Sequence, residues 1–158
     1  MKSLLIHCTQ SFPFKVITFV LFSLYLIFYI TETHAIEDRV VLVTNKNSVI
    51  TKLERKDIRR IFLGLKSKNN SAIKKPVLNL ADKALYKLFL KNIMFLTETG
   101  YKRKLVKRVF RQGGDKIKTI NSDKELLNYL NSHPDNISFM READAKKQTN
   151  LKIIQALW

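Results

Sequence analysis

The sequence predicts an α/β domain with a mixed sheet and helices on its faces. Short β-branched runs alternate along the chain with segments whose apolar residues recur at helical spacing. Polar turns that contain glycine, proline or asparagine separate these segments. The predicted order is strand, helix, strand, three helices and two strands, and residues 36–158 are enough for one such domain.

The first 35 residues have the organisation of an export signal. A lysine-containing start precedes the apolar run 16–30, and Thr33 and Ala35 stand at the minus-three and minus-one positions of a cleavage site. The apolar run is shorter than the roughly 20 residues of a spanning helix. We therefore expect 1–35 to be a signal peptide cleaved after Ala35. Residues 36–158 would then form a periplasmic or secreted domain without a stable membrane span. An uncleaved N-terminal anchor is the alternative.

The first predicted strand and helix follow this segment. Residues 40–44 form a short, continuously apolar run that suits a buried strand. After a polar loop, Thr51 and Glu54 have the spacing of a capping box, and Gly64 suits the end of the helix that follows. The inward stripe of this helix comprises Ile58, Ile61, Phe62 and Leu65.

Two helices follow the second predicted strand, 76–80. Its first residue, Pro76, needs no ladder donor there, and Asp82 is a favourable N-cap for a helix over 83–94. A further helix begins at 97 and runs to about 110. The buried stripe of the first helix comprises Leu85, Leu88, Phe89 and Ile93. The residues of the second helix expected to pack inward are Tyr101, Leu105, Val106, Val109 and Phe110.

The last third of the chain adds a helix and two strands. Gly113 and Gly114 interrupt the preceding helix, and Ser122 with Glu125 has the spacing of a second capping box before a short helix. Residues 137–140 and 151–157 then suggest a third and a fourth strand.

Polar loops after the first two strands are the candidate binding regions, because ligands of α/β sheets bind beyond the carboxyl ends of strands. The first loop contributes Asn45, Lys46, Asn47 and Ser48. The second contributes Lys83 at a helix start, where backbone N–H groups attract anions.

Six motifs occur in a fixed order along the chain. They are Val41-Leu-Val-Thr-Asn45, Leu53 to Gly64 with its Ile61-Phe-Leu-Gly end, Pro76-Val77 to Phe89, Phe110-x-x-Gly113-Gly114, Ser122-Asp123 to Leu130, and Pro134-Asp-Asn-Ile137-Ser-Phe139. The ordered set covers nearly all of residues 39–157. It resembles the short phosphate ABC transporter substrate-binding proteins, a group of type II periplasmic binding proteins.

This resemblance implies a single Rossmann-like lobe of the type II periplasmic binding-protein fold. It also implies a non-enzymatic protein without a cofactor, which binds a small oxyanion such as phosphate and serves an ABC permease or another envelope protein. Gly113 and Gly114, which match a glycine turn of the family, join the expected ligand-binding residues, although a helix stop also explains them. Ala84 replaces an expected serine and Asp82 adds negative charge, so we expect weak or lost binding.

The sequence contains few residues or motifs that could form a catalytic or metal site. Cys8, the only cysteine, precedes the predicted cleavage site, and His133 stands beside Pro134 in a predicted turn without an obvious catalytic partner. The chain has neither a phosphate-binding glycine-rich loop nor a Gly-x-Ser-x-Gly motif. We therefore expect no enzymatic activity and no metal.

Strong positive charge suggests a second function. The chain carries 29 Lys and Arg against 13 Asp and Glu, a formal net charge of +16 at pH 7. A basic envelope protein that binds a polyanion or a protein partner through helix 102–111 is the alternative to solute binding. The candidate residues are Arg103, Lys107, Arg108 and Arg111. A lysine-rich composition with a solvated helix face would also explain this charge.

Overall fold

The computed structural model of this chain describes residues 39–65, 75–113 and 116–158. The chain divides into two units, Met1–Ala35 and Ile36–Trp158, and all the described residues belong to the second. The predicted signal peptide and Gly114 therefore lie outside the described residues. In the part of the chain that is described, no helix is long and apolar enough to span a membrane.

The described residues form a mixed α/β structure, which confirms the predicted class. In chain order the elements are β1 (Val40–Asn45), α1 (Arg55–Phe62), β2 (Val77–Asn79), α2 (Lys83–Phe89), a π-helical turn (Leu90–Met94), α3 (Glu98–Gln112), β3 (Lys118–Ile120), α4 (Asp123–Ser132), β4 (Ile137–Arg141), α5 (Glu142–Lys146) and β5 (Leu151–Ala156). The four predicted strands are confirmed. The structure also contains β3 and α5, which have three and five residues and were not predicted from the sequence. The helix predicted over 83–94 changes to π geometry after Phe89.

The five strands line up in the order β3-β2-β4-β1-β5. β1 lies at the centre of an antiparallel sheet between β4 and β5, while β2 and β3 form a parallel pair. A parallel bridge between Pro76 and Ile137 joins the two sheets, and the Ser138 hydroxyl donates a hydrogen bond of 2.9 Å to the Val77 carbonyl. β1 therefore runs opposite to β2, β3 and β4.

The core lies on both faces of the sheet. Alternate residues of β1 point to opposite sides, so Val40 and Leu42 belong to one apolar cluster, and Val41 and Val43 to the other. All six residues of β1 are buried, which explains the apolar run Val40–Val43. The buried polar side chains of Thr44 and Asn45 donate hydrogen bonds to the carbonyls of Asn136 and Asn131. The second cluster is closed by residues of α4 and neighbouring elements, including Leu126, Leu130 and Ala145.

Three aromatic rings form the centre of the first cluster. Phe89 of α2 stacks on Phe139 of β4 with ring centroids 4.0 Å apart and planes 4° apart. Phe62 of α1 meets Phe89 edge to face at 4.8 Å. The buried Tyr101 of α3 donates its hydroxyl to the carbonyl of Phe62, which satisfies one of the last carbonyls of α1. Helices α1, α2 and α3 therefore pack together over β4.

Neither predicted capping box forms in the structure. Glu54, and not Thr51, precedes the first residue of α1, and its side chain makes no capping hydrogen bond. Residues 51–54 lie outside the helix, and the Leu53 N–H donates instead to Gln155 Oε1 at 2.8 Å. Ser122 does stand at the N-cap of α4, as predicted, but its hydroxyl accepts no hydrogen bond from the helix.

The inward packing predicted for Val106 and Phe110 is wrong. Val106 is 55% exposed and Phe110 is 86% exposed, whereas Tyr101 is fully buried. Val106 follows Tyr101 by five residues, which places it about 140° around a helix of 3.6 residues per turn. Since Tyr101 faces the core, Val106 and Phe110 must face solvent.

Candidate anion-binding regions

A carboxylate of the chain itself lies at the start of α2. Asp82 Oδ1 accepts a hydrogen bond of 2.9 Å from the Leu85 N–H, and Asp82 Oδ2 accepts one of 2.9 Å from Arg141 Nε. Burial raises the pKa of Asp82. That pKa is nevertheless held below its ordinary value. The causes are hydrogen bonds from the Leu85 and Ala84 N–H groups and from Arg141, together with the positive charge of Arg141. Negative charge thus already occupies this helix start, beside the exposed Lys83.

The loop after β1 is held by its own side chains. The Asn45 amide donates to the carbonyls of Leu130 and Asn131 at 3.3 and 3.1 Å, and its Oδ1 accepts from the Asn47 N–H at 2.8 Å. The Ser48 hydroxyl accepts a hydrogen bond of 3.2 Å from the N–H of Ile50. The side chains of Asn45 and Ser48 therefore stabilise the loop, while Lys46 is exposed. A polar cavity of about 250 Å³ lies here, lined by Asn45, Lys46, Asn47, Asn131 and Asn150.

The two predicted loops lie at opposite edges of the sheet. Thr44, near the end of β1, pairs with Ile137 at the start of β4. Arg141, at the end of β4, pairs with Val40 and binds Asp82. The loops are separated by about the length of β4, roughly 13 Å at a rise of about 3.3 Å per residue. One phosphate-sized ion therefore cannot contact both loops.

Gly113 ends α3 with a φ of 66°, a conformation that side chains rarely adopt. Its N–H donates to the Val109 carbonyl at 3.0 Å, as expected at a helix end. A Cβ at this position would meet nothing within 4 Å, so the glycine serves the backbone conformation and not a close approach. Gly114, its predicted partner in ligand binding, lies outside the described residues.

The basic residues predicted on α3 fall into two groups. Arg103, Lys107 and Arg111 are exposed. Arg108 is half-buried, and its Nη1 donates a hydrogen bond of 3.2 Å to the carbonyl of Gly64. Gly64 ends α1 with a φ of 75°, as its sequence position predicts, and a Cβ there would lie 2.6 Å from the Arg108 guanidinium carbon. The structure thus brings the first three cations together on one exposed helix face.

Sequence reasoning missed three features of these regions. The local sequence gives no indication that Arg141 binds Asp82, because the two residues lie 59 positions apart. A cavity of about 250 Å³ lies beside α3, and Leu63 and Leu65 line it together with basic side chains. Phe95 adopts a φ of 53° after the π-helical turn and is exposed, with Arg59 5.3 Å from its ring centroid. An apolar residue after a predicted helix would be the only sequence signal for Phe95.

The titratable side chains of the described residues do not form a metal centre. Among residues 39–65, 75–113 and 116–158, no group of three or more His, Cys, Asp or Glu side chains could hold a metal ion. His133 is exposed, stacks on Tyr129 with ring centroids 4.1 Å apart, and places its Nδ1 2.9 Å from the Tyr129 carbonyl. These contacts give His133 a local structural role at the end of α4.

The fold corresponds to a known architecture of solute-binding proteins. The chain is similar to the crystal structure of an ABC-type phosphate transport receptor from Vibrio cholerae, with a TM-score of 0.54, 18% sequence identity and 74% of this chain covered. This likeness confirms the predicted fold class, a single lobe of the type II periplasmic binding-protein fold. The helices and strands that carry Asp82, Arg141 and the α3 cations therefore belong to this lobe.

Two further structures show weaker similarity. One is the substrate-binding domain of a molybdenum ABC transporter protein from Clostridium difficile, with a TM-score of 0.46 and 17% sequence identity, over 77% of this chain and 43% of that chain. The other is PstS from Borrelia burgdorferi, with a TM-score of 0.48 and 14% sequence identity, over 69% of this chain and 42% of that chain. The chain spans less than half of each of these structures, and 45% of the Vibrio cholerae receptor. No family model and no curated protein matches the sequence.

Proposed function

We propose that this protein is a non-enzymatic, solute-binding-like protein that works outside the cytoplasm. The observation that supports this most is its likeness to one lobe of an ABC-type phosphate transport receptor. The proposed solute is a small oxyanion such as phosphate, and the proposed partner is an ABC permease or another envelope protein. No cofactor is part of this proposal.

Binding of the oxyanion is proposed to be weak or lost. The carboxylate of Asp82 occupies the start of α2 and is already paired with Arg141 at 2.9 Å. A second negative charge at this point would be repelled, and it would have to compete for the same donors. The loop after β1 lies at the other edge of the sheet and gives no assistance.

Titration with phosphate tests this proposal. For the unit Ile36–Trp158 we expect a Kd in the millimolar range or weaker, worth about 4 kcal/mol or less. Asp82→Asn keeps an N-capping side chain but removes the charge, so phosphate should bind at least about tenfold more tightly, a gain of about 1.4 kcal/mol.

Glu54→Gln is the matched control for this titration. Glu54 is an exposed carboxylate paired with Lys56 at 2.7 Å, so its removal changes the net charge equally. Its neighbour Leu53 is bonded to Gln155 of β5, which lies two strands away from β4 and Arg141. Phosphate affinity should not change. Micromolar, one-to-one phosphate binding by the unaltered protein would contradict the proposal that binding is weak or lost. An equal gain in phosphate affinity in both variants would show that only the net charge matters.

Export with cleavage after Ala35 is the proposed route to the extracytoplasmic space. The expected product begins at Ile36, and N-terminal sequencing or intact mass of the protein from the periplasm or medium measures this. Protein that retains Met1 and partitions with membranes would instead show an uncleaved anchor.

A basic interaction surface is the second candidate function. The observation that favours it is the exposure of Arg103, Lys107 and Arg111 along one face of α3, next to the exposed Val106 and Phe110. A charged helix face that only contacts water would explain the exposed cations, but it would not explain the exposed Val106 and Phe110. The partner proposed for this face is a polyanion.

A further inference from the structure

One exposed face of α3 combines positive charge with apolar side chains. The helix carries six basic residues and one acidic residue, Glu98, which pairs with Lys102 at 2.6 Å near the start of the helix. Phe110 and Val106 are among the most exposed large apolar side chains of the described residues. We call the surface formed by these side chains the basic–apolar face; it comprises Arg103, Val106, Lys107, Phe110 and Arg111.

Helical spacing orders these five side chains into two rows. Val106 and Phe110 are four residues apart and lie next to each other on the helix surface. Arg103, Lys107 and Arg111 are also spaced by four and form a parallel row beside them. Because Tyr101 points into the core from the other side of the helix, both rows face outward.

A groove continues the basic row towards α1. It has a volume of about 250 Å³ and is lined by Leu63, Leu65, Lys104, Lys107, Arg108 and Arg111. The bond from Arg108 to the Gly64 carbonyl holds the end of α1 against α3. Lys107 and Arg111 belong to both the groove and the basic–apolar face, so cations and aliphatic side chains form one continuous surface.

We propose that the basic–apolar face and this groove dock onto an anionic lipid bilayer, an inference that rests on the second candidate function. A bilayer surface offers phosphate groups to the cations and, a few ångströms deeper, an acyl region to Phe110 and Val106. The exposed valine and the groove leucines distinguish this partner from a nucleic acid, whose bases would stack on Phe110 but gain little from Val106.

Vesicle co-sedimentation of the unit Ile36–Trp158 tests the inference, since this unit contains both apolar clusters of the described core. Binding is expected to vesicles of three parts phosphatidylcholine and one part phosphatidylglycerol, and not to pure phosphatidylcholine. The double variant Val106→Ser with Phe110→Ser should lower vesicle affinity about tenfold or more, because two apolar side chains no longer enter the acyl boundary. Its affinity for heparin should stay the same.

The matched control is Val49→Ser, because Val49 is 73% exposed in the loop after β1. It should leave vesicle binding unchanged, and thermal unfolding should show that all variants remain folded. The inference would be overturned by an absence of preference for the anionic vesicles, or by equal vesicle binding of the Val106/Phe110 variant and the unaltered protein. It would also be overturned if that variant lost affinity for single-stranded DNA but still bound vesicles. Heparin binding without vesicle binding would reject the bilayer while leaving the polyanion function standing.

Discussion

Neutralising Arg103, Lys107 and Arg111 together to glutamine should strongly weaken binding of heparin to the unit Ile36–Trp158. Each cation that contacts an anionic group releases counterions, so affinity falls steeply as salt rises. Removing three such contacts should reduce the slope of log affinity against log salt by about three, roughly one for each residue. Titrations at several salt concentrations measure this slope.

The matched control for this experiment is a second triple variant, with Lys46, Lys52 and Lys124 changed to glutamine. These lysines are also exposed, and they are spread over the chain outside α3. The net charge changes equally, so a smaller loss of slope in this variant would show that α3 itself is the binding surface. Equal loss in both variants would mean that net charge alone attracts the polyanion.

Replacing Phe89 with alanine should lower the free energy of unfolding by about 3–5 kcal/mol. Phe89 is fully buried, stacks on Phe139 and meets Phe62 edge to face, so its removal leaves a cavity where α1, α2 and β4 meet. Since domains of this size have a total stability of about 5–15 kcal/mol, the variant would lose a large part of it. Urea unfolding followed by circular dichroism measures the change.

Phe110→Ala removes the same atoms from an exposed position of α3 and is the control. Phe110 is exposed to solvent, so its loss should change the free energy of unfolding by less than about 0.5 kcal/mol. Similar values for Phe89→Ala and Phe110→Ala would contradict the packing described here. The comparison also shows whether Phe110 can be altered for binding experiments without unfolding the protein.

The sequence by itself determined the α/β class and most element positions. β1 is recognisable because a strand buried on both faces needs apolar residues throughout, and Val40, Val41, Leu42 and Val43 supply them to two clusters. Asp82 is recognisable as an N-cap because its partner, the Leu85 N–H, lies three residues away. These signals are local, so they can be read without knowing the fold.

The tertiary structure alone decided the geometry of the candidate regions. An apolar run reads the same in either direction, so the sequence does not show that β1 is antiparallel to β4, and this orientation separates the two predicted loops. Asp82 meets Arg141 only because β4 ends beside α2. On α3 the apolar residues extend around more than one side of the helix, and only the packing of Tyr101 against α1 leaves Val106 and Phe110 outside. In each case the deciding contact joins residues far apart in the chain, because strand pairing and helix packing select among faces and directions that local sequence leaves equivalent.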